Sequence, residues 1–215
     1  MSRFSYFPKL VRSVLSCGCF LIALLAPSFS QASTILVVGD SISAAYGMSL
    51  EQGWVAAMDK ALALEYPDHD VINASISGET SGGALSRMPR LLAQHKPALV
   101  IIELGGNDGL RGYPLKNFHR NLESLVTLSQ RSGARVILVP MEIPPNYGTR
   151  YTAGFRQAYR DVASSTGCVL APFILDGVAT DPDLMQTDGI HPTAAAQPLL
   201  LQNILPTVLT VLETP

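Results

Sequence analysis

The chain of 215 residues is 47% apolar and only 15% charged, which suits one domain with a sizeable core and excludes a disordered or low-complexity chain. Its formal net charge is −2 and no Lys/Arg cluster is present, so nucleic acid is not an expected partner. Three cysteines, and no Cys/His group at ligand spacing, exclude a disulfide framework and a structural metal site.

The first predicted element is an export leader. Arg3, Lys9 and Arg12 make a positive, acid-free start, and an apolar run follows over residues 14–26. Ser30 and Ala32 then stand in the small-x-small pattern read by signal peptidases, which predicts a signal peptide over 1–32, cleavage before Ser33 and one domain over 33–215. The run of 13 apolar residues falls short of the roughly 20 that span a bilayer. The mature chain would keep 12 basic and 17 acidic side chains, net −5, and would reside in the periplasm or outside the cell. Cleavage would also remove Cys17 and Cys19. Cys168, in the apolar run Cys168-Val169-Leu170-Ala171, reads as a small core residue.

Beyond residue 34, short apolar runs alternate with longer segments of helical spacing. The runs cover 35–38, 71–74, 98–104, 136–139 and 169–171, nearly continuous and rich in Val, Ile and Leu, as strands buried on both faces are. The helical segments cover about 51–66, 80–95, 115–132, 149–166 and 193–212. This order predicts a three-layer α/β/α sandwich around a five-stranded parallel sheet. The last segment is very apolar, but Pro198, Gln202, Asn203 and Pro206 interrupt it. It reads as a helix covering the sheet, bent or ended at Pro206, and the mature chain is not expected to insert in a membrane.

In such a fold, active residues collect on loops beyond the carboxyl ends of strands. The first strand leads into Gly39-Asp40-Ser41-Ile42-Ser43, where Ser41 can act as a nucleophile or simply cap a helix. The second leads to Gly78, which frees backbone N–H groups near a helix start, although an ordinary capped turn reads the same way. The third ends in Gly105-Gly106-Asn107-Asp108, where Asn107 offers an uncharged donor suited to an oxyanion or a plain turn. The last loop, Asp188-Gly189-Ile190-His191-Pro192, is read as following the fifth strand. In it a carboxylate stands three residues before a histidine and can fix its tautomer. His69, His95 and His119 read as surface residues. A nucleophile, a base with its orienting acid and two oxyanion donors on one sheet edge meet the needs of acyl transfer.

The blocks Gly39-Asp40-Ser41, Gly78, Gly105-x-Asn107-Asp108 and Asp188-x-x-His191 resemble, in order, those of the SGNH (GDSL-type) hydrolases. The similarity is greatest to the bacterial periplasmic arylesterase, acyl-CoA thioesterase and lysophospholipase group; Glu79 departs from it, relatives often having Asp. The resemblance implies a flavodoxin-like fold, a catalytic triad of Ser41, Asp188 and His191, and an oxyanion hole from the Ser41 and Gly78 N–H groups and Asn107. It further implies a monomer without cofactor or metal, acting on a small-molecule ester or acyl-chain substrate. The apolar loop after the fourth strand reads either as a stiff connector or, as the resemblance implies, as a wall for the acyl chain lined by Met141, Ile143 and Pro144. A carbohydrate O-deacetylase is the alternative, against which stands the presence of a single tryptophan, Trp54; a non-catalytic lipid carrier is a second.

Overall fold

The computed structural model describes residues 1–2 and 33–214, so all but the first two residues of the expected leader lie outside the described residues. In chain order the elements are β1 (Ser33–Gly39), α1 (Trp54–Glu65), β2 (His69–Asn73), α2 (Ser81–His95), β3 (Leu99–Glu103), α3 (Gly106–Leu110), α4 (Leu115–Arg131), β4 (Arg135–Val139), α5 (Thr149–Thr166), β5 (Val169–Leu170) and α6 (Gln197–Glu213). The five strands are parallel in the order β2-β1-β3-β4-β5. One helical layer pairs α1 with α6, and in the other α4 packs between α2 and α5. This is the expected α/β/α sandwich with flavodoxin-like strand order.

The central strands match their apolar runs because both faces are covered: Ile35 to Val38 and Leu99 to Ile102 have no exposed surface. The edges differ. β2 starts at His69, which pairs with Ser33 of β1, so a histidine read as a loop residue opens a strand. β5 is only two residues long and leaves Val169 40% exposed. α6 buries Leu200, Ile204, Val208 and Val211 against the domain, as a covering helix should. Pro206 does not end it. Pro206 and Gln202, whose carbonyl loses its helical donor, both lie on the exposed side of the helix.

The chain leaves β1 in one direction to β2 and returns past it to β3, which opens a crevice at their carboxyl ends. Gly39 and Glu103 are register partners there, so the loops after β1 and β3 start side by side.

Candidate active site

Gly39 ends β1 where a side chain does not fit: a Cβ would lie 2.6 Å from Ser43 Oγ and 2.9 Å from Glu103 Oε2. Asp40 then accepts from the Ile42 N–H at 3.1 Å, and Ala44 N–H donates to the Asp40 carbonyl at 2.9 Å. This tight turn holds Ser41 at the sheet edge, 9% exposed. Its Oγ lies 2.9 Å from His191 Nε2. His191 Nδ1 lies 2.6 Å from Asp188 Oδ2, and Asp188 Oδ1 accepts from the Ile190 and His191 N–H groups at 2.9 and 3.0 Å. The hydrogen bond from the His191 ring, with these two N–H groups, holds the Asp188 carboxyl down at about 2. The arrangement can take a proton from Ser41 and return it.

His191 does not arise directly from β5, contrary to the sequence reading. Twenty residues intervene, because the apolar residues Ile174, Leu175 and Val178 turn back into the core instead of extending the strand. The histidine is carried on a small hairpin in which Met185 bridges Pro192, and Gln186 N–H donates to the His191 carbonyl at 2.7 Å. Gly189, at φ +67°, closes its tip.

Gly78, at φ +80°, lies exposed on the loop before α2. Among the described residues, neither its N–H nor that of Ser41 has a protein acceptor, so both are available to an anion. Asn107 sits on α3 where the sequence reading had a tight turn, since Gly-Gly-Asn-Asp-Gly carries little helical propensity. Tertiary bonds form it. Asp108, 2% exposed, accepts from Ser81 N–H at 2.8 Å and Ser81 Oγ at 2.6 Å, pinning α3 to the start of α2. Asn107 Nδ2 donates to Asp40 Oδ2 at 3.2 Å, which leaves its second amide hydrogen free. The Gly78 carbonyl accepts from Arg111 Nη2 at 3.2 Å, tying that loop to the end of α3.

Two buried carboxyl groups underlie the site and were not singled out in the sequence. Burial pushes Asp40 up to about 6, and burial together with the Asp40 charge drives Glu103 well above the ordinary range. Ser43 Oγ donates to Glu103 Oε2 at 2.7 Å. Of the two, Asp40 is the one that faces Asn107, through Oδ2.

Gly105 connects this edge to the core. Its φ is +125°, and beneath it Phe118 and Phe155 stack at 4.7 Å with Tyr159 edge-on to both. An added Cβ would collide with the Tyr159 hydroxyl and lie 2.8 Å from Phe118 Cζ, while that hydroxyl donates to the Leu104 carbonyl at 2.8 Å. Gly105→Ala is expected to cost about 3 kcal/mol or more, read as a lower urea midpoint, and to depress turnover by displacing Asn107.

Of the residues expected to line an acyl chain, Met141 and Ile143 are buried and Pro144 is exposed. Met141 and Ile143 pack beneath α3, facing Gly106 and Gly109. Cys168 is buried, and burial pushes its thiol up. Glu79, in the loop just before α2, pairs with Arg87 of that helix at 2.7 Å. Among the described residues, no three His, Cys, Asp or Glu side chains converge as a metal site would need.

The model of the GDSL-like Lipase/Acylhydrolase family matches residues 37–198. Esterase TesA of Pseudomonas aeruginosa is 51% identical over 198 residues, covering 92% of this chain and 98% of that protein. Thioesterase 1/protease 1/lysophospholipase L1 of Escherichia coli K12 is 39% identical over 179 residues, covering 83% and 85% respectively. The crystal structure of the psychrotrophic esterase EstA from Pseudoalteromonas sp., inhibited by monoethylphosphonate, superposes with a TM-score of 0.81 at 44% identity, covering 85% of this chain and 100% of that one. The chain thus belongs to the GDSL-like lipase/acylhydrolase family and is a hydrolase of ester bonds.

Proposed function

We propose that this enzyme hydrolyses carboxylic esters and acyl thioesters through an acyl-enzyme on Ser41. The observation that carries the reading is the continuous line from Asp188 through His191 to Ser41 at 2.6 and 2.9 Å. His191 Nε2 accepts the Ser41 proton as Oγ attacks the acyl carbonyl. Asp188 accepts from Nδ1–H, which fixes the tautomer and steadies the imidazolium. The Ser41 and Gly78 N–H groups and the free Asn107 amide hydrogen receive the oxyanion. His191 gives its proton to the departing alkoxide or thiolate, then activates water to release the acid and regenerate Ser41. The chemistry is complete without cofactor or metal.

The substrate is a small-molecule ester. Aryl esters, acyl thioesters and lysophospholipids are the classes proposed, in keeping with the names of the relatives, and the 141–148 loop is proposed to border the acyl chain through Pro144. A sugar-directed deacetylase is not favoured: Trp54, which could have formed a stacking platform, is wholly buried, with its backbone N–H donating to Gln197 Oε1 at 2.9 Å. Turnover of p-nitrophenyl esters from acetyl to palmitoyl is expected to peak at medium or long chains. Activity confined to acetyl would overturn the lipid-directed reading. Residues 1–32 are proposed to be a cleaved signal directing the enzyme to the periplasm or beyond, with a monomer as the working form. N-terminal sequencing of the exported protein is expected to begin at Ser33.

A further inference from the structure

The loop after β1 and the His191 hairpin are joined by contacts that the acyl-transfer steps do not use. The Tyr46 ring lies over the His191 ring, with centroids 4.3 Å apart and planes inclined by 33°. Tyr46 is 49% exposed, so core packing does not hold it there. Among the described residues, its hydroxyl has no hydrogen-bond partner. The backbone is bent to place it: Ala45 is one of only two described non-glycine residues at positive φ, +54°, and Gly47 follows at +78°. Such conformations persist where neighbouring structure enforces them, and they gather at functional sites.

The enforcing residue is Gln186. Its Nε2 donates to the Tyr46 carbonyl at 2.8 Å and to the Pro192 carbonyl at 3.0 Å, 140 and 6 residues away. Its backbone N–H donates to the His191 carbonyl at 2.7 Å. The same side chain fills the space above Gly47, where a Cβ would lie 2.5 Å from Oε1. One residue therefore fixes both the ring above the imidazole and the hairpin that carries the imidazole.

Resting on the reading of His191 as the base, we propose that Tyr46 is a positioning residue for His191, held by Gln186. Its π face stabilises the imidazolium formed when the Ser41 proton is taken, and it keeps Nε2 aimed at Oγ. The charged groups bearing on that ring are Asp188 at Nδ1 and the buried Asp40 behind Ser41. Neither covers its face. That face belongs to Tyr46.

The test is the pH–rate profile for p-nitrophenyl acetate and a longer-chain ester, measured for the full chain and its variants. Tyr46→Leu is expected to lower kcat about 5-fold and to move the acid limb about half a pH unit downward, since an unsupported imidazolium loses its proton more readily. Tyr46→Phe, which retains the ring, restores the limb. Gln186→Met shifts it in the same direction, and adding Gln186→Met to Tyr46→Leu produces less than the product of the separate effects. An unmoved limb with kcat within two-fold overturns the proposal. So does an effect on KM alone that grows with chain length, which would make Tyr46 a substrate contact. His191→Ala, assayed alongside, separates the two readings: if it stays active the base assignment itself fails, whereas if it is inactive while Tyr46→Leu leaves the limb unmoved, only this inference falls.

Discussion

Ser41→Ala is expected to lower kcat for ester hydrolysis by about 10⁴–10⁶-fold while the protein stays folded. The hydroxyl removed sits at the sheet edge and makes one side-chain hydrogen bond, to His191, so its loss costs about 1 kcal/mol of stability. No other serine is in place to replace it, because Ser43 Oγ is committed to the buried Glu103. His191→Ala should fall to a similar floor, and the double variant no lower, since nucleophile and base act as one unit. Asp188→Asn should cost about 10⁴-fold by favouring the wrong imidazole tautomer. Asp188 stays ionised down to about 2, so its own protonation is expected to cost no activity above that pH. Single-turnover assays should show no acyl-enzyme burst in Ser41→Ala. Undiminished turnover in that variant would mean that the nucleophile is elsewhere.

The second large effect is expected at Asn107. Asn107→Ala should lower kcat by about 10²–10³-fold with KM nearly unchanged, the signature of a donor used chiefly in the transition state. Its position is supported from two sides. Asp40 accepts one amide hydrogen, and the neighbouring Asp108 anchors α3 to Ser81. Asn107→Asp should be at least as damaging, because it replaces the donor with an acceptor and sets a second carboxylate against the buried Asp40. Steady-state kinetics on one p-nitrophenyl ester distinguish the outcomes. A raised KM with unchanged kcat would make Asn107 a ground-state contact and remove it from the oxyanion hole.

Much of this architecture was legible in the chain itself. Apolar runs such as Ile35 to Val38 have few alternatives to a strand buried on both faces, and the helical segment at 115–132 shows its stripe through Phe118, Leu122 and Leu125. Alternating such elements specifies a parallel sheet, and a parallel sheet gathers its loops at one edge. Ser41, Gly78, Asn107, Asp188 and His191 could therefore be nominated together. The fold brings Ser41, His191 and Asp188 within hydrogen-bonding distance and links Asn107 to the Ser41 loop through Asp40.

The tertiary structure alone decided the rest. α3 exists because Asp108 reaches Ser81, 27 residues away, not because Gly-Gly-Asn-Asp-Gly favours a helix. Met141 and Ile143 looked available to a substrate until α3 covered them. Glu103 is pushed up by burial and by Asp40, 63 residues earlier, and the seat of Tyr46 depends on Gln186, 140 residues later. Periodicity and turn chemistry are set within a few residues and can be read locally. Helix formation against propensity, burial of a loop and the upward shift of a carboxyl are set by partners that only the folded chain brings together.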